Sequence, residues 1–272
     1  MKKLCILLAT WLTFVPICDC CANAIGSSAN EIRNDEMSSV ISLQGTKNTR
    51  DLGGYVAENK KITKENVFFR SDNTNKLSES DIQQLKEKHN LKYVIDLRYD
   101  SEISSAPDKL NGVEGVIYYN IPLYIPREQM KELIKGNIDL GDAYIKSLDQ
   151  KDTIKKIFDT FASISDGSLL FHCTNGKDRT GTVAALLLGL CGVSDDNIIN
   201  NYSLTYELIK DSKSVKKGID KYGTDTIFRS SPEYMTKFLK HIKEQYGSAK
   251  NYLITCGVSQ ENIDKIIEKF VG

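Results

Sequence analysis

Residues 183–190 read Val-Ala-Ala-Leu-Leu-Leu-Gly-Leu, a run without a polar side chain. A helix of that composition has no face to offer water, so it must be buried on all sides within a layered fold. The stretch before it constrains the chain equally. Ser168–His172 (SLLFH) has the length and apolar content of a short buried strand. Between strand and helix lie Cys173-Thr174-Asn175-Gly176-Lys177-Asp178-Arg179, followed by Thr180-Gly181. The loop therefore sits at the N-terminus of a core helix.

That placement makes an anion site. Unpaired backbone N–H groups and the positive end of the helix dipole converge on the concave side of such a loop. Arg179 is suited to clamp two oxygens of a phosphate. The same field favours a thiolate at Cys173, placed for in-line attack on phosphorus. Thr180 is expected to hydrogen-bond the sulfur and help it leave. His172 precedes the nucleophile on a strand and reads as an orienter of the loop rather than a base. Thr174, Asn175, Gly176, Lys177 and Thr180 complete the expected substrate-binding set.

The rest of the chain supports a single α/β domain. Val67–Phe69, Tyr93–Leu97 and Gly115–Ile121 read as strands, and Ser78 caps a helix reaching His89. Helices fill 127–164, and everything after Thr180 reads as helix. Strands alternating with helices imply a central, largely parallel sheet flanked by helices, with an all-helical C-terminal half. Cys191-Gly192-Val193-Ser194 and Cys256-Gly257-Val258-Ser259 repeat one corner: helix end, glycine, apolar residue, serine N-cap. Cys191 and Cys256 then serve as packing residues.

Lys2, Lys3, an apolar stretch from Leu4 to Cys18 and Ala22-Asn23-Ala24 form a signal-peptide pattern. Residues 1–24 are expected to be cleaved, leaving a secreted or extracytoplasmic protein without a stable membrane anchor; an uncleaved anchor or a lipoprotein is the alternative. Residues 25–38 read as a flexible leader, and 39–272 as the domain. Equal numbers of basic and acidic residues, 36 each, argue against a nucleic-acid partner. With no CxxC and no clustered His or carboxylate pattern, neither metal nor cofactor is expected.

HCTNGKDRTG resembles the signature of the cysteine-dependent tyrosine phosphatase superfamily. More narrowly, it is similar to the atypical secreted bacterial phosphatases acting on phosphotyrosine, phosphoserine/threonine and phosphoinositides. Asn48–Tyr55 (NTRDLGGY), Phe69–Asp72 (FRSD), Val94–Arg98 (VIDLR) and a tail including Gly257-Val258-Ser259 match in the same order, so the resemblance covers about 40–271. It implies a phosphatase fold, a cysteinyl-phosphate intermediate, and phosphorylated proteins or phosphoinositides as substrates. The alternative is a catalytically weak phosphate-binding module.

Conventional tyrosine phosphatases draw the leaving-group proton from an Asp in a Trp-Pro-Asp loop. The only tryptophan here, Trp11, falls in the signal segment. A carboxyl beside a bound dianion favours its protonated form, as an acid role requires, and the resemblance to the atypical family implies that role for Asp178 inside the phosphate loop. It alternatively holds Arg179 or the loop in shape; Asp72 and Glu128 stand in reserve. The Gly176-Lys177 pair resembles inositol-lipid phosphatases and implies an extra cation at the loop rim, against the plainer reading of a solvated lysine. Arg50, Asp51, Arg70, Asp96 and Arg98 are expected as partners behind the site or buried ion pairs. Helices in 200–246 are expected to form a lid or an ordinary solvated layer.

Overall fold

The computed structural model describes residue 37 and residues 39–124, 132–223 and 225–272. The signal segment, nearly all of the leader and Glu128 lie outside the described residues.

Among the described residues five strands form one sheet: β1 (Arg50–Asp51), β2 (Phe68–Ser71), β3 (Leu91–Asp96), β4 (Ile117–Asn120) and β5 (Ser168–His172). Their order is β1-β2-β5-β3-β4. The β1–β2 pair is antiparallel, and the β2–β5, β5–β3 and β3–β4 pairs are parallel. The expected largely parallel sheet is therefore present, with β5 at its centre. Ser71, Asp96 and His172 align across β2, β3 and β5. The residues that follow all leave the sheet at its carboxyl edge, where α/β folds place their sites.

Alternation along the strands divides the core. Phe69, Val94 and Leu170 face a smaller cluster with Leu85 of α1 (Glu79–His89). Phe68, Ile95, Leu169 and Phe171 face the larger one. There they meet α4 (Lys151–Ser163) and α5 (Asp178–Leu190), with Phe68 and Phe171 both packing on Phe161. The apolar run anticipated as a core helix is α5, and Val183–Leu188 are all buried.

Further helices among the described residues include α2 (Asp100–Ser105), α3 (Leu140–Ser147), α6 (Asp195–Ile209), α7 (Lys213–Tyr222), α8 (Pro232–Tyr246), α9 (Ala249–Thr255) and α10 (Gln260–Phe270). Ser78 caps α1 with a reciprocal bond to Asp81, as the sequence indicated. The repeated corner is real. Val193 N–H donates to Leu188 O and Val258 N–H to Leu253 O, while Ser194 and Ser259 cap α6 and α10. Cys191 and Cys256 are buried at these corners. Among the described residues no helix is long and apolar enough to cross a membrane.

Candidate active site

Cys173 follows β5 directly and is 2% exposed, at the floor of the loop. Lys177 is the N-cap of α5 but contributes no side-chain cap, so the first-turn N–H groups stay available to the loop. Gly176 has φ +63°, and a Cβ there would lie 2.6 Å from Ser71 O and 2.7 Å from Asn48 Nδ2. Only glycine fits this tight turn.

The loop's carbonyls are pinned on one side. His172 Nδ1 lies 3.3 Å from Cys173 O. Asn73 N–H donates to Thr174 O at 3.2 Å. Asn48 Nδ2 donates to Asn175 O at 2.9 Å, and Arg70 Nη2 to Gly176 O at 2.7 Å. In a trans peptide the next N–H points opposite its carbonyl. Anchoring the carbonyls of 173–176 outward therefore turns the N–H groups of 174–177 inward, making an anion cradle.

These anchors explain two sequence segments. Arg50 is fully buried; its Nη2 donates to Asn201 O at 2.6 Å and to Thr205 Oγ1 at 3.1 Å, and its Nη1 bonds Asn48. Arg70 Nη1 donates to Asn201 Oδ1 at 2.5 Å. Both arginines stand behind the site. Asp51 does not join them: it accepts from Gly53 and Asn66 N–H, and burial pushes its carboxyl up to about 6.

Arg179 meets Glu102 of α2 fork to fork, with Nη1–Oε2 2.6 Å and Nη2–Oε1 2.8 Å. Nη1 also donates to Leu97 O at 3.3 Å and Nη2 to Thr174 Oγ1 at 3.2 Å. The guanidinium lies 4.9 Å from the Tyr99 ring centroid. Burial pushes the Glu102 carboxyl up, but the Arg179 pair outweighs it and leaves it at about 2. Four of the five N–H donors are thus engaged before any phosphate arrives. A two-oxygen clamp on phosphate needs Nε together with an Nη released by Thr174 or Leu97. The sequence carried no signal for Glu102.

Beneath the loop is a charged layer. His172 Nε2 lies 2.7 Å from Asp108 Oδ2. Burial works against the imidazolium, but Asp108 and Asp96 raise its pKa above the ordinary value. With acceptors at both ring nitrogens, the doubly protonated ring satisfies both. Arg98 Nη2 bonds Asp96 Oδ2 at 2.6 Å, and Nη1 bonds Asn73 Oδ1 at 2.9 Å. Asp96, Asp108 and His172 bring ligand atoms within 4.8 Å of one another, as a metal would need. The Arg98 guanidinium, 2.6 Å from Asp96 and 4.0 Å from Asp108, supplies the positive charge there instead. His172 thus links the Cys173 carbonyl to Asp108 through its two ring nitrogens.

Two sequence expectations need correction. Lys177 is neither a rim cation nor a solvated lysine. It is 1% exposed, because its Nζ turns inward to donate to Ile227 O at 2.6 Å and Arg229 O at 3.1 Å. Burial lowers its pKa, opposed by Asp178 and Cys173. Thr180 Oγ1 does not bond the sulfur; it is buried in the first turn of α5 and meets no partner there.

Asp178 stands at the mouth, its side chain 22% exposed. Its Oδ1 accepts from Tyr144 Oη at 2.6 Å, with Lys177 Nζ at 3.3 Å. Of the reserve acids, Asp72 accepts from Lys47 and Asn48 N–H, and burial raises its pKa. Those bonds commit it to the 47–48 backbone. In the expected lid region, α7 adjoins the loop where Ser214 Oγ lies 3.5 Å from Asn175 Oδ1.

Residues 41–272 match the tyrosine phosphatase family. A tyrosine-protein phosphatase of Nostoc commune is 29% identical over 217 residues, spanning 74% of this chain and 72% of its own. The triple specificity protein phosphatase PtpB of Mycobacterium tuberculosis is 28% identical over 121 residues, 38% of this chain and 44% of its own. The core catalytic domain of the PP-IP phosphatase SIW14 from S. cerevisiae, solved with citrate, aligns with a TM-score of 0.35 at 16% identity. That alignment covers 67% of this chain and 96% of that one.

Proposed function

Since the chain belongs to the tyrosine phosphatase family, we propose that it hydrolyses phosphate monoesters through a cysteinyl-phosphate on Cys173, with phosphotyrosine in proteins as the first substrate class. The observation carrying this reading is the buried Cys173 at the start of a loop whose carbonyls at 173–176 are anchored by His172, Asn73, Asn48 and Arg70, with Arg179 closing the same loop.

In the first step the Cys173 thiolate attacks phosphorus. The S–P bond forms as the ester P–O bond breaks, and Asp178 gives its proton to the departing oxygen. The loop N–H groups and Arg179 bear the charge on the equatorial oxygens. In the second step Asp178 takes a proton from water, which attacks phosphorus, and the sulfur leaves as thiolate. Retention of both Cys173 and Arg179 favours turnover over a phosphate-binding module. Residues 1–24 serve as a secretion signal in this reading, which puts the activity outside the cytoplasm.

The test is phosphate release by wild type and Cys173→Ser from phosphotyrosine and phosphoserine peptides and soluble phosphoinositides, without metal and with a reductant. Wild-type turnover, a dead Cys173→Ser and a phosphate adduct trapped on Cys173 support the proposal. Phosphate binding without turnover on every substrate returns the binding module. The buried Lys177 lends no rim cation to a second phosphate, so the relative rates alone decide whether inositol lipids belong among the substrates.

A further inference from the structure

Tyr144 of α3 and Tyr202 of α6 are each 1% exposed, and their hydroxyls are 2.7 Å apart. Burying two phenol groups is costly unless their hydroxyls have partners, and phenylalanine would fill nearly the same space. The acceptor that gives the pair a purpose is Asp178. Tyr144 has one proton, and it goes to Asp178 Oδ1 at 2.6 Å. The bond between the phenols must then run from Tyr202 to Tyr144, so the chain has one direction: Tyr202 to Tyr144 to Asp178.

Lys177 Nζ, held by Ile227 O and Arg229 O, approaches the same Oδ1 to 3.3 Å. One carboxylate oxygen therefore faces two donors from inside the protein. A proton on that oxygen would oppose both, so the acid's proton belongs on Oδ2. We infer that Tyr144 is a positioning residue for Asp178, directing the transferable proton to Oδ2; this rests on the reading of Asp178 as the general acid. When Oδ2–H gives its proton to the leaving oxygen, the P–O electron pair stays on that oxygen and the new charge on Asp178 meets the Tyr144 hydroxyl. Burial raises both phenols above their ordinary values, so they stay neutral and donate hydrogen bonds without themselves transferring protons.

The experiment compares wild type, Tyr144→Phe, Tyr202→Phe and Asp178→Asn on phenyl phosphate and p-nitrophenyl phosphate across pH. Phenoxide leaves poorly and needs the acid more than p-nitrophenoxide does. Tyr144→Phe is expected to lower kcat/KM, which reports the first step in which the leaving group departs, about tenfold more on phenyl phosphate than on p-nitrophenyl phosphate. The alkaline limb should move to higher pH, because the carboxylate has lost a donor. Tyr202→Phe, which spares the bond to Asp178, should move both readouts the same way but less. Equal losses on both substrates with an unmoved limb in Tyr144→Phe would overturn the inference, provided Asp178→Asn abolishes the limb. If Asp178→Asn keeps the limb and the leaving-group dependence, the acid reading itself fails, and the inference with it.

Discussion

Glu102 and Arg179, 77 positions apart, hold each other through two parallel hydrogen bonds of 2.6 and 2.8 Å. The arginine that would meet phosphate is thereby aimed before substrate arrives, and a planar fork on a carboxylate fixes its plane as well as its charge. Glu102→Gln should keep one of the two bonds but lose the charge. A fall of about 10- to 100-fold in kcat/KM is expected, since misplacing a clamp costs orientation. Steady-state kinetics on a phosphotyrosine peptide measures it, and an unchanged kcat/KM would show that Arg179 needs no such partner.

The same pair sets a pH window for stability. The folded-state value of Glu102, about 2, lies below its ordinary 4.5. Its contribution is fully present above that ordinary value and is lost as pH falls towards about 2. The melting-temperature gap between wild type and Glu102→Gln should stay constant from neutral pH down to about 5 and shrink below it.

His172 has the opposite sign. Its folded-state pKa is raised above 6.5, so the stability it adds is complete below that value and disappears as pH rises through the raised one. Thermal melts on the alkaline side should slope downward in wild type. His172→Asn should lack that part of the slope.

Lys177→Met removes the donor to Ile227 O and Arg229 O while keeping most of the buried volume. Two carbonyls then lose a partner at the segment beside the loop. Hydrogen exchange or limited proteolysis should find 225–229 opening more often, with protection in β5 and α5 retained. Unchanged exchange there would mean that other contacts hold the segment.

Gly176→Ala forces a side chain into a φ +63° turn against Ser71 O. A cost of about 1–3 kcal/mol is expected from the backbone alone. Denaturant melts should record it, together with loss of phosphate turnover.

What the sequence revealed follows contiguity. β5, the loop and α5 are one uninterrupted stretch, and its apolar run allowed no other placement. The repeated Gly-Val-Ser corners were readable for the same reason. Asn48, Arg50, Arg70 and Arg98 lie in recognisable segments, yet their work of pinning loop carbonyls or the residues behind them depends on strand order. Glu102 was invisible because the turn after β3 alone brings α2 to Arg179. Lys177 was misjudged because the carbonyls that bury it lie 50 and 52 positions downstream. β1, two residues long, carries no periodicity to detect.

β2 and β3 are consecutive in the chain but are not neighbours; β5 pairs with both. A nascent chain that has not yet delivered residues 168–172 can hold β2 and β3 only with the strand between them missing. Each then presents an unpaired edge to the gap, the kind of edge that recruits foreign strands. The strand that fills the gap is the one that Cys173 directly follows. Closing the sheet and creating the thiol's surroundings therefore need the same stretch of chain, and a molecule still without it has exposed strand edges but no assembled loop.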